Sequence, residues 1–190
     1  MSITIELSEP GLRRCGDCSL CCKLMPMPEL NKPAGKRCQH QRHGLGCAIY
    51  ARRPMACQAW SCRWLVNDDT ADLRRPDRSL YVIDVMPDYV TARPNDGGEP
   101  YNVPVVQIWC DAHSPDAWRD PALLAYLDRR GRDGTAALIR FDNRRGITVF
   151  PPSMTGDTFR EYHNGELREE HTMAEKVAAI ATAPKIVPAK

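Results

Sequence analysis

The sequence predicts an α+β protein in which a cysteine-rich, metal-bound N-terminal part packs on a small, mostly antiparallel sheet with one main helix. Three observations carry this. Eight of the nine cysteines fall between Cys15 and Cys62. Residues 79–150 read β-β-β-α-β-β, with short turns rather than the alternating strand–helix order of a parallel sheet. One segment, 115–132, has the length and spacing of an amphipathic helix. The expected organisation is 1–75 for the cysteine cluster, 76–152 for the α+β part, and 153–190 for a polar C-terminal segment with a short helix.

In chain order, Ile3, Ile5 and Leu7 alternate with polar residues as a short strand would. The cysteine-bearing stretch then shows little pattern until CAIYARRPMACQAWSCRWL, Cys47 to Leu65. There Pro54 divides two short helical stretches and can open the second, because its missing N–H costs nothing in a first turn. Ala56, Trp60 and Trp64 recur every four residues and predict an apolar stripe. Residues 67–78 are a polar linker.

SLYVIDVM (79–86) is β-branched and apolar, Pro87-Asp88 is a turn signal, and YVTAR (89–93) reads as the returning strand. After a loop at 93–100 comes VPVVQIWCDA (103–112), a buried strand that contains the isolated Cys110. Alone in an apolar strand, Cys110 is expected to pack as a small hydrophobe. In the 115–132 helix Leu123, Leu124 and Leu127 share a face, and Gly131 can end it. TAALIRF (135–141) and GITVF (146–150) make a hairpin around Asp142-Asn143-Arg144. MAEKVAAIAT (173–182) is the short terminal helix.

Composition excludes several function classes. With 26 basic and 24 acidic residues, net charge gives no drive toward nucleic acid or an anionic membrane. No apolar run approaches the roughly 18 residues of a membrane helix, and the first residues lack a signal-peptide pattern. The expected compartment is the cytoplasm, where thiols stay reduced; an odd cysteine count and the adjacent pair Cys21-Cys22 also argue against a disulfide framework. No nucleophile elbow, phosphate-binding glycine loop, HExxH or dinucleotide fingerprint occurs, so the reading leans away from an enzyme. Asp111 and His113 could form a catalytic pair, but a turn at a strand end accounts for both.

What remains is CGDCSLCC. Thiolates are soft ligands suited to zinc and to iron–sulfur clusters. Cys15, Cys18, Cys21 and Cys22 are followed by Cys38, Cys47, Cys57 and Cys62: eight thiols, two full sets of four. His40 and His43 could substitute for a thiolate. On a helix Cys15, Cys18 and Cys22 would share a face; in a loop Cys15, Cys18 and Cys21 would form a ferredoxin-like C-x2-C-x2-C run. In either case the adjacent thiols point apart, which suggests two metal centres, or one centre and a spare thiol.

These residues resemble the CxxCxxCC zinc- or iron-chelating domain, a family of small bacterial cysteine-cluster proteins. The likeness rests on CGDCSLCC, on Cys38, on CAIYARRPMAC with its C-x2-Y-x2-R-P-x2-C core, and on Cys62 before Arg63-Trp64. It covers about residues 13–65. The resemblance implies that Cys15, Cys18, Cys21, Cys22, Cys38, Cys47 and Cys57 bind metal, with Cys62 as the eighth. Arg52 and Arg53, and the flanking Arg13, Arg14, Lys23, Lys36, Arg37 and Arg63, would offset the negative charge of metal-bound thiolates. Three functional expectations follow. The first is a protein chelating zinc or iron in one or two centres, the metal at least structural. The second is an iron–sulfur redox or catalytic protein. The third is a zinc module that binds RNA or a protein partner.

Overall fold

The computed structural model describes residues 13–92, 97–156, 158–163, 166–172 and 175. The strand expected at residues 3–7 and nearly all of the helix expected over 173–182 lie outside them.

The cysteine lobe is built from short pieces: α1 (Cys21–Leu24), β1 (Gln41–Arg42), β2 (Gly46–Cys47), α2 (Met55–Ala59), α3 (Arg63–Val66) and α4 (Pro76–Ser79). CGDCSLCC combines the two geometries open from sequence. Cys15 to Leu20 form turns, with Gly16 at φ +55°, and helix begins only at Cys21. Pro54 caps α2 rather than opening it, and the chain is extended again at Trp60. The expected Ala56–Trp60–Trp64 stripe is therefore broken. Ala56 is exposed, while Trp60 and Trp64 still pack on the core from separate segments.

The second part holds β3 (Tyr81–Ile83), β4 (Asp88–Ala92), β5 (Tyr101–Cys110), α5 (Pro121–Arg132), β6 (Ala136–Arg140), β7 (Gly146–Phe150), α6 (Pro152–Thr155), β8 (Thr158–His163) and β9 (Glu166–Thr172). The strands form one mixed sheet, ordered β3-β5-β6-β7-β8-β9, with β4 also on β5. The architecture is α+β. All pairings are antiparallel except β5–β6, which is parallel because α5 carries the chain back between them. The hairpin expected at 135–150 is present as β6–β7.

Three further expectations change. β3 and β4 do not pair with each other. Tyr81 to Ile83 lie against Cys110 to Ile108, and Asp88 to Ala92 continue along the same strand against Val105 to Tyr101. Residues 84–87 are a break in one long edge rather than a reversal, since β5, at ten residues, is long enough to pair with both. The 115–132 helix is also split. Residues Ala117–Arg119 form a 3-10 turn, and Asp120 then caps α5 by accepting the Ala122 N–H ahead of Pro121. The segment after residue 153 contributes β8 and β9 to the sheet.

Strand alternation positions the site. Tyr81, Ile83, Ile108 and Cys110 face one side of the sheet, where Leu123, Leu124 and Leu127 of α5 close the main core with Trp118 and Ile139. Val82 and Trp109, one residue out of phase, face the other side. There they meet Leu20, Leu24 and Cys62 of the cysteine lobe. The sheet thus separates α5 from the thiol cluster. Cys110, 1% exposed, is on the α5 side and packs as a hydrophobe.

Candidate metal centre

Three anchors hold the cysteine lobe to the sheet. Lys23 of α1 pairs with Asp111 just beyond β5. Trp60 donates its indole N–H to Asp84 at 2.7 Å. Cys62 makes an isolated antiparallel bridge to Asp84. Within the lobe the Cys38 N–H donates to the Cys22 carbonyl at 2.9 Å, folding the 25–38 loop back onto α1. The Gln41 amide donates to the Ser19 hydroxyl at 2.8 Å, and the Ala48 N–H to the His40 carbonyl at 2.9 Å. These local bonds bring together cysteines that are up to 47 positions apart in the chain.

The result is one cavity of about 270 Å³, lined by all eight clustered cysteines. His40 also lines it, whereas His43 is exposed and does not. As the side chains are placed, no three Cys, His, Asp or Glu groups among the described residues stand close enough to hold one ion. Tetrahedral zinc with Zn–S bonds of about 2.3 Å needs its sulfurs about 3.8 Å apart. The thiols therefore share one wall without having closed on a point, and binding requires them to rotate inward. In donor type and number the set fits a thiolate-bound metal.

The backbone around the sulfurs supports the same fit. The His40 N–H donates to the Cys38 sulfur at 3.5 Å. Such a donor stabilises sulfur that carries negative charge.

Charge is placed more selectively than the flanking basic residues suggested. Arg53 acts on Cys15, Cys22 and Cys57 and rests on the Tyr50 ring, 3.8 Å from its centroid. Arg13 instead donates to the Trp64 carbonyl and to Thr70, Lys23 is taken by Asp111, and Arg63 pairs with Asp69. The sequence reading missed two cations. Lys32 is only 8% exposed, donates to the carbonyls of Lys23, Met25 and Pro33, and acts on Cys21, Cys22, Cys38 and Cys57. Arg75, held by Asp17 and Asp77, acts on Cys15 and Cys18. Lys32 lies between Cys22 and Cys38 without a motif of its own, and what marks it is burial with no carboxylate partner among the described residues.

The thiols divide in acidity. Burial raises Cys15, Cys18 and Cys57, and pushes Cys62 up to about 11. Cys22 is lowered to about 7 by a hydrogen bond from the Cys21 thiol, with help from Lys32 and Arg53 against the opposing effect of burial. Cys21, the donor, is held well above the usual thiol range by that bond and by burial. A dication entering the cavity therefore has to displace protons, which makes binding pH-dependent.

No family profile, no curated protein and no solved structure matches the chain. Asp111 and His113 form the expected strand-end turn: Asp111 accepts the His113 backbone N–H at 3.1 Å, and the His113 ring is 85% exposed.

Proposed function

We propose that this chain is a metal-binding protein whose clustered cysteines chelate zinc or iron, with the metal at least structural. One observation carries the reading: eight cysteines spread over residues 15–62 line a single cavity. Thiols gathered this densely have no packing rationale, while thiolate chelation explains both their number and their spacing. The resemblance of CGDCSLCC and CAIYARRPMAC to the CxxCxxCC domain supports it. Cys15, Cys18, Cys21, Cys22, Cys38, Cys47, Cys57 and Cys62 would hold the metal, and Lys32, Arg53 and Arg75 would offset the thiolate charge. The metal would supply cross-linking free energy to a lobe whose longest described helix has five residues.

A second reading is an iron–sulfur redox or catalytic protein. The C-x2-C-x2-C run of Cys15, Cys18 and Cys21 favours it. An RNA-binding module is less well supported, because Arg13, Lys23 and Arg63 are engaged within the fold. The experiment is elemental analysis with acid-labile sulfide on protein purified without oxygen. Zinc without sulfide supports the first reading. Iron with matching sulfide supports the second. Neither metal at stoichiometric level refutes both.

A further inference from the structure

We infer that the eight thiols form two four-sulfur sites, an inner one of Cys15, Cys18, Cys21 and Cys62 against the sheet, and an outer one of Cys22, Cys38, Cys47 and Cys57. The inference rests on the metal-binding reading above and assigns its ligands.

The division follows from which thiols face each other. Cys18, Cys21 and Cys62 belong to the apolar layer under Val82 and Trp109. Cys15 and Cys18 are neighbours of Cys62, and Cys62 and Cys18 are neighbours of Cys21 beside the adjoining Cys22. Turn geometry ties Cys15 to this group, since the Cys18 N–H donates to the Cys15 carbonyl at 2.9 Å. On the other side, Cys57 contacts Met27 through its thiol and lies within electrostatic reach of Cys22, Cys38 and Cys47. The Cys38 backbone is bonded to that of Cys22, and Cys47 lies on β2, whose partner β1 follows directly from the Cys38 turn.

The sets meet where α1 begins. Consecutive helical residues point about 100° apart, so Cys21 and Cys22 are suited to serve different centres. The electrostatic coupling of Cys21 with Cys22 and of Cys15 with Cys22 marks the shared boundary. The two sites also differ in surroundings. Lys32 reaches Cys22, Cys38 and Cys57 of the outer set and Cys21 of the inner one, whereas the Arg75 guanidinium lies by Cys15 and Cys18 of the inner set.

The test is titration of the reduced, metal-stripped full chain with Co²⁺, reading tight equivalents and the thiolate-to-cobalt absorption. The wild type should bind two. Cys38→Ser/Cys47→Ser, both within the outer set, should keep one, as should Cys15→Ser/Cys18→Ser within the inner set. Cys18→Ser/Cys38→Ser, one from each, should keep none at wild-type affinity. If the cross-set pair retains one equivalent, or either within-set pair retains none, the division is wrong. If the wild type binds a single equivalent, the division fails while metal binding stands. If it binds none, the metal-binding reading itself fails. A second measurement needs no variant: N-ethylmaleimide footprinting of wild type with added Zn²⁺ should protect the thiols in these two groups of four. Protection in any other grouping overturns the assignment.

Discussion

Lys23→Met should loosen the attachment of the cysteine lobe and can be worked through quantitatively. Lys23 and Asp111 are 16% and 11% exposed, so the pair is largely shielded from water. Breaking a fully buried pair by removing one partner costs about 3–5 kcal/mol. Residual exposure reduces that, and Asp111 keeps its bonds from the His113 backbone and ring, which leaves about 2–3 kcal/mol. For a chain of this size that corresponds to roughly 4–12 °C in Tm. The pH dependence has a definite sign. Burial alone would raise the Asp111 carboxyl, but the hydrogen bonds from Lys23 and His113 outweigh it, and the folded-state pKa is lowered. Its contribution is therefore complete above the unfolded carboxylate value of about 3.9 and is lost as pH falls through the lower folded value. Thermal melts of wild type and Lys23→Met at equal metal content should differ by this amount at pH 7 and converge as the solution is acidified below about pH 4. An unchanged Tm at pH 7, or a gap that widens on acidification, would refute the reasoning.

Three further outcomes are expected. Cys57→Ser should lower both metal content and Tm, because it removes one ligand from a lobe with little core; inductively coupled plasma analysis and calorimetry check it, and full metal content with an unchanged melt contradicts it. Lys32→Met should weaken metal binding by about tenfold, as loss of a supporting group does, and an unchanged affinity in competition titrations would contradict it. Cys110→Ala should leave metal stoichiometry at the wild-type value and cost about 1 kcal/mol or less, because the side chain lies on the α5 face of the sheet; loss of a metal equivalent would contradict that placement.

The thiol cluster was legible in the sequence, because thiol chemistry and spacing are properties of the chain itself: CGDCSLCC sets out four of the eight candidate ligands before any fold is known. The strands at 81–83, 101–110, 136–140 and 146–150 were legible for a similar reason, since β-branched runs bounded by turn residues carry their own signal. Pairing was not. Whether Tyr89 to Ala92 turns back on Tyr81 to Ile83 or continues along β5 depends on the length of a partner strand that local pattern does not weigh. The Trp60–Trp64 spacing gave a helical period, but the chain is extended at Trp60, and packing on Val82 and Trp109 placed both rings from different segments. Lys32 carries no motif. It becomes a counter-charge only because the 25–38 loop folds back and buries its ammonium beside the thiols. Residue chemistry and local pattern were enough to read the thiols and most of the elements. The tertiary structure alone decided which donors face one another, because that depends on the sheet face each residue occupies and on contacts between residues far apart in the chain.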